Sequence, residues 1–483
     1  MKLIIAILLT LLIPGSIYSQ DHTCESDFAW IKKTFEENDA GFQYTIDSKG
    51  QQAYDIHNTL MFEKIKSSKT SVECVNLLSE WLAFFRPGHL YVQLNQNIPG
   101  NQSENILTEK HETVDVDIDK FIQDIQGKKP SDFEGIWGMS NYVIGIKKEN
   151  LSDYTGFVLE SQYPEWKRGE LKLKITADGK NLKSIFYLRN NTIQESNEVE
   201  LIETHVLKMG ADTLTRIQPK SSDVPSGGRS KQSVQNTGIP YIETLDQTTL
   251  LLRIPSFDLT MKPAIDKLLS ENKSLILRTV NLIIDVRNNG GGADQSYREI
   301  LPFLYTNPIR TAGVAYLSTK LNNQRMLRIA NGAVPGASKE EMEMAQEAYK
   351  KLESHLNEFV DIQPNRMSIN TMSTIYPFPK NVGIIINERN GSTTEQFLLV
   401  AKQSQKVKLF GTTTAGALDI SNMYSVESPD KRLTLWYGLT KSHRLPGYAI
   451  DGKGIQPDYY IDSSIPQDKW VDFVRETYSQ SQD

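Results

Sequence analysis

The sequence predicts an α/β core built on a mainly parallel sheet with flanking helices, joined to an N-terminal helical segment and a small antiparallel β-barrel-like insert. Three observations lead there. From Leu250 onward, short apolar runs alternate with amphipathic segments, the pattern of strands that return through helices to pair in parallel. Between residues 130 and 210, strand-length runs follow one another with only turns between them. Near the N-terminus, apolar residues recur at helical spacing: Phe28, Ile31 and Phe35, then Val75, Leu78, Trp81, Leu82 and Phe85.

Taken in order, Lys2, an apolar run from Leu3 to Ile13, the break Pro14-Gly15 and small residues around Ser19 read as a signal peptide over residues 1–19. So short a run does not span a bilayer. Residues 20–110 form the helical region, with helices over Glu25–Asn38 and Val72–Phe85 and a polar stretch from Asn95 to Lys110. Both cysteines of the chain, Cys24 and Cys74, fall here. In an exported protein that pair predicts a disulfide, the alternative being two buried free thiols. Residues 130–210 hold strands at Tyr142–Ile146, Gly156–Leu159, Leu171–Ile175, Ser184–Leu188 and Glu198–Ile202, and residues 211–240, rich in Ser, Gly, Pro and Lys, read as a linker or lid. The core over residues 241–483 includes an amphipathic helix from Ser338 to Phe359, placed to roof a site, and a surface helix from Gln467 to Tyr478.

Composition narrows the function classes. A chain of 483 residues, 39% hydrophobic and 23% charged, holds two or three ordinary domains and is neither disordered nor membrane-embedded. A net charge of −6 without a long basic run does not imply nucleic acid.

Two motifs carry chemistry. In the first, the strand residues Ile283 and Ile284 lead through Asp285-Val-Arg287-Asn-Asn289 into Gly290-Gly291-Gly292. Consecutive glycines reach backbone angles that leave N–H groups bare beside a developing oxyanion, although a flexible turn has the same composition. No Lys-Ser/Thr follows, so a phosphate loop is disfavoured. In the second, the strand Val382–Ile386 and the turn Asn390-Gly391 precede Ser392, which opens a helix carrying Phe397, Leu398, Val400 and Ala401. Ser392 reads either as a nucleophile at a strand-to-helix turn or as the cap of a Ser392-x-x-Glu395 capping box.

These two strings, followed by Gly452-Lys-Gly454-Ile-Gln-Pro457-Asp458, stand in the order seen in the C-terminal processing (tail-specific) serine peptidases, and residues 240–465 resemble that family. The resemblance implies Ser392 as nucleophile and N–H groups of Gly290 or Gly291 and of Thr393 as oxyanion donors. Where one branch carries a catalytic lysine, this chain reads Gly411-Thr-Thr-Thr414-Ala-Gly416-Ala417, so a Ser-Lys dyad is not expected. The segment is similar instead to the tricorn-core branch, in which a histidine upstream of the insert is the base. That implies His89, in Arg86-Pro87-Gly88-His89-Leu90, with His443 as the alternative base and Asp451 as the acid that orients the imidazole. An imidazole beside a carboxylate is expected to titrate near or above its ordinary value. The insert resembles the lipocalin-like barrels of some exported relatives. No metal or cofactor is called for. The expected function is a serine-type endopeptidase acting on peptides or proteins in the periplasm or outside the cell, with no integral membrane segment after signal removal. The alternative is a catalytically silent ligand- or partner-binding protein on the same fold.

Overall fold

A computed structural model describes residues 23–95, 112–139, 142–161, 166–178, 181–187, 193–202, 204, 206–209, 212–219, 239–334 and 337–480. The expected signal peptide, the polar stretch after Asn95 and most of the expected linker lie outside them.

Four helices open the described chain: Cys24–Asn38, Phe42–Lys49, Gln51–Lys66 and Ser71–Ala83. Thr23 and Ser26 form a capping box at the first, and Thr70 accepts from the Glu73 N–H at the fourth. A disulfide joins Cys24 to Cys74, tying the N-terminal turns of these two helices together. Their apolar faces meet at Phe28, Phe35, Trp81 and Phe85, with rings largely edge to face. This cluster continues into Leu433, Leu435, Tyr437 and Leu439, so the N-terminal helices share a core with a strand 400 residues downstream.

The insert is a nine-stranded antiparallel sheet, nearly closed on itself. Its interior is packed with Trp137, Ile144, Ile146, Val158, Leu173 and Ile175. Four of its strands, Gly135–Met139, Ile193–Ser196, Val206–Met209 and Asp212–Gln218, were not among those expected; the runs of the last two mix Lys, Asp, Arg and Thr with the apolar residues.

The remaining core is mixed, which corrects the mainly parallel expectation. One sheet runs Tyr241–Thr244, Thr249–Arg253, Asn281–Asp285, Asn381–Ile386, Val407–Gly411 and Tyr459–Tyr460; its first pair is antiparallel and the others are parallel. A second, antiparallel sheet places Leu433–Ser442 between Tyr91–Leu94, Ile420–Glu427 and Val314–Leu317, with Phe359–Asp361 beyond. Pairing of Tyr91 with Trp436 is invisible to any local pattern, so the second sheet could not be read from periodicity. The expected roofing helix, observed at Lys339–Glu353, packs against helix Lys320–Ala330. No helix among the described residues is long and apolar enough to cross a membrane.

Candidate active site

Strands Asn281–Asp285 and Asn381–Ile386 are parallel neighbours, with Asp285 level with Ile385, so the two motif turns leave the same edge of the sheet side by side. Asparagines fasten them together. Asn289 is fully buried; its Oδ1 accepts from the N–H groups of Phe257 at 3.3 Å and Gly291 at 3.0 Å and from the Thr394 hydroxyl at 2.8 Å. Asn390, also buried, donates to the carbonyls of Val286 at 2.5 Å and Asn289 at 3.1 Å, and Asn387 pairs reciprocally with Asn288. Just before the turn, Asp285 is held at about 2 despite its burial by Arg287 and Arg253. None of these asparagines was singled out from sequence, because Asn in a turn is ordinary.

The glycines are required by contact as well as conformation. Gly291 has φ +111°, and a Cβ there would lie 2.7 Å from Ser392 Cβ and 2.9 Å from the Thr393 nitrogen. Its N–H is spent on Asn289. Of the two glycines considered as oxyanion donors, Gly290, an exposed residue, therefore has the N–H without an acceptor among the described residues. Thr393, the first residue of helix Thr393–Ala401, likewise has no protein acceptor for its N–H among the described residues, while its hydroxyl donates to the Gly292 carbonyl at 2.9 Å.

Ser392 sits at φ 54°, ψ −126°, a conformation that costs a non-glycine residue on the order of 1–3 kcal/mol. It makes no side-chain capping bond. The capping-box alternative fails at its other end too: Glu395 turns away and accepts from Thr414 Oγ1 at 2.5 Å and from the N–H groups of Gly416 and Ala417, both at 2.8 Å. Burial pushes the Glu395 carboxyl above its ordinary value, and these donors oppose the rise.

The segment Ala417–Ile420 touches everything else. The Ala417 carbonyl accepts from the Ser392 N–H at 2.9 Å. A Cβ on Gly88 would meet Ala417 Cβ at 2.5 Å, so the loop bearing His89 packs on the alanine that stands in the lysine slot. His89 Nδ1 lies 2.7 Å from the Ile420 carbonyl. A carbonyl only accepts, so the proton is on Nδ1 and Nε2 presents the lone pair a base requires. Burial lowers the His89 pKa below its ordinary value, with the Ile420 bond and the Asp451 charge opposing. The expectation of an ordinary or raised value is thus corrected, because burial outweighs the carboxylate.

Asp451 makes no hydrogen bond to the His89 ring. Its Oδ1 accepts from the N–H groups of Leu418 and Asp419, both at 2.6 Å, and its Oδ2 from Ile420 at 3.1 Å. The acid therefore holds the segment whose carbonyl holds the imidazole. Asp419, fully buried and unforeseen, returns the favour to Ile450 and Asp451 and anchors Arg444. His443 is not brought to this cluster: its Nε2 is paired with Asp361 at 2.6 Å. Among the described residues no group of three or more His, Cys, Asp or Glu is arranged to hold a metal ion.

No curated protein matches the sequence. The fold is similar to that of mature CPAF solved with lactacystin, at 12% identity and a TM-score of 0.50 over 95% of this chain and 98% of that one. A putative peptidase from Parabacteroides merdae aligns at 13% identity and a TM-score of 0.41, over 94% of this chain and 93% of that one. The photosystem II D1 C-terminal processing protease aligns at 12% identity and a TM-score of 0.37, over 92% and 95%. Residues 248–461, which span the glycine turn, Ser392 and the Asp451 loop, match the model of peptidase family S41.

Proposed function

We propose that this protein is an exported serine-type endopeptidase using Ser392, His89 and Asp451, in the manner of the tricorn-core branch that lacks the catalytic lysine. Ser392 Oγ attacks the peptide carbonyl while His89 Nε2 takes its proton. The tetrahedral intermediate collapses with cleavage of the C–N bond, and His89 returns the proton to the leaving amine. Water, deprotonated by His89, then releases the acyl group and restores the serine. The oxyanion is met by the N–H groups of Gly290 and Thr393, each worth about 3 kcal/mol in such sites. Asp451 orients His89 indirectly, through the Ile420 carbonyl.

The observation that carries this reading is the Ala417–Ile420 segment, which binds the Ser392 N–H at one end and His89 Nδ1 at the other. An idle cap would leave Ser392 bonded to its helix; its hydroxyl is free of it. The Cys24–Cys74 disulfide supports an oxidising compartment, periplasmic or extracellular. A fluorophosphonate probe tests the assignment: it should label Ser392, and Ser392→Ala should lose both labelling and peptide cleavage. Since no capping bond is removed, its thermal stability should fall by less than the ~1 kcal/mol typical of losing a cap. Cleavage retained in Ser392→Ala removes Ser392 as nucleophile.

A further inference from the structure

His89 is held at φ 56°, a conformation unusual for a residue other than glycine, so its loop needs a restraint beyond the ring's own hydrogen bond. We propose that the buried Arg86–Asp39 pair is a positioning device for His89, in which the guanidinium grips the histidine's backbone carbonyl and the carboxylate ties that grip to the strand beside Ile420–Glu427. The inference rests on the reading of His89 as the base.

The geometry is that of a fork with three engaged prongs. Arg86 Nη1 donates to Asp39 Oδ1 at 2.8 Å; Nη2 donates to Asp39 Oδ2 at 2.5 Å and to the His89 carbonyl at 2.9 Å. The two side chains are 6% and 0% exposed. Asp39 caps helix Cys24–Asn38 and also accepts from the N–H groups of Gly41 at 2.9 Å and Gly438 at 3.1 Å. Gly438 lies on strand Leu433–Ser442, opposite Met423 of the strand that starts at Ile420. His89 is therefore held twice by one hairpin: its ring by the Ile420 carbonyl, its backbone through Arg86, Asp39 and Gly438. The two holds touch at Gly41, where a Cβ would lie 2.8 Å from Ile420 Cγ1 and 3.0 Å from Arg86 Nη1.

Stability alone does not account for such a pair, since buried ion pairs are often replaceable by apolar groups without loss. Gripping one carbonyl while pairing with a carboxylate needs the planar guanidinium; a lysine ammonium is a point charge without that fork. The charges that act on the imidazole are Asp451 and Asp39, which favour its protonated form, and Arg86, which opposes it.

Three variants test the proposal on labelled casein, each checked for native circular dichroism. Arg86→Lys keeps the charge and loses the fork; kcat should fall about ten- to a hundredfold, the scale of a misplaced catalytic group, with KM and the acid limb of the pH profile unmoved. Arg86→Gln should move the acid limb to higher pH and Asp39→Asn to lower pH, because they remove charges of opposite sign. A purely structural pair would lower the folded fraction in both variants and move neither limb. If the two neutral variants do not fold, Arg86→Lys decides. Wild-type kcat in Arg86→Lys, or unmoved limbs in both folded neutral variants, overturns the proposal. His89→Ala separates it from the underlying reading: full turnover in His89→Ala removes the base assignment itself, whereas a dead His89→Ala beside a normal Arg86→Lys removes only the positioning role.

Discussion

The two halves of the candidate site are held in different ways. The Ser392 half is built within one sheet: adjacent parallel strands end level, and Asn289 and Asn390 stitch their turns together across about a hundred residues of chain. The His89 half is borrowed. Its ring is held by Ile420, 331 positions away, and its loop is pinned between a disulfide-tied helix and the pairing of Tyr91 with Trp436. Ser392 is seated by bonds within one sheet, whereas His89 is only as well placed as the contacts between separate parts of the fold. Perturbing the second half should therefore cost turnover while leaving Ser392 in place.

The largest effect expected on the borrowed side is that of His89→Ala, which should lower kcat by some 10²-fold or more, as for loss of a general base. In the parent enzyme, activity should fall with acid through a midpoint below the ordinary imidazole value, because burial disfavours the protonated ring. The same shift has a stability consequence. A histidine whose folded pKa lies below its unfolded one binds fewer protons when folded, so its contribution is complete above the unfolded value, near ~6.5, and is lost as pH falls toward the folded value. His89→Ala should flatten that part of the stability–pH curve. An acid limb that persists unchanged in the residual activity of His89→Ala assigns the titration to another group.

Asp451→Asn comes next and sharpens the distinction between a ring partner and a segment holder. The amide has one acceptor oxygen where the carboxylate accepts three N–H bonds, and its NH2 group faces donors. Unsatisfied buried donors cost about 1–3 kcal/mol, so Asp451→Asn should lower the melting temperature and turnover together. A direct ring partner would lower turnover with little change in melting temperature, and that result would return Asp451 to contact with His89.

Reduction of Cys24–Cys74 acts on the same half from further away, so its expected effect on turnover is smaller even though its effect on stability is not. It opens a loop of sequence separation 50, worth about 4 kcal/mol in the chain-entropy model. Reduced protein should unfold at lower temperature and, where it stays folded, lose turnover and fluorophosphonate labelling together, since both need His89 beside Ser392. Unchanged turnover in folded, reduced protein would show that the His89 half does not depend on the disulfide.

The same division explains what was legible in the sequence. Apolar runs ending in three glycines, and an apolar run ending in Asn-Gly-Ser, report strand-to-helix turns because each is a local pattern, and both stand where the reading put them. The cysteine pairing was legible because only two residues competed. The capping-box alternative for Ser392 and Glu395 rests on spacing alone, and spacing cannot show that a carboxylate has found three donors some twenty residues further along. Arg86, Asp39 and Asp419 were passed over for the same reason: their meaning lies in partners 47, 399 and 25 positions away. Asp451, expected from the resemblance to orient the imidazole directly, has its carboxylate on the N–H groups of Leu418, Asp419 and Ile420, a contact no local pattern announces.

The smallest effect expected is also the one that closes the choice between two histidines. His443 follows the strand Leu433–Ser442, yet its Nε2 is committed to Asp361, which Arg366 also engages, and its N–H to the Gly313 carbonyl. Its side chain is 19% exposed and that of Asp361 30%, so the pair is partly solvated and contributes at most about 1 kcal/mol, the range of surface ion pairs. No bond links it to Ser392 or to the Ala417–Ile420 segment among the described residues. His443→Ala should therefore leave kcat/KM and the acid limb within experimental error of the parent, and shift the melting temperature by no more than a few degrees. Measured beside His89→Ala on the same substrate, a loss of turnover confined to His443→Ala would transfer the proton to that histidine and require the Asp361 loop, rather than the Arg86 loop, to carry the base.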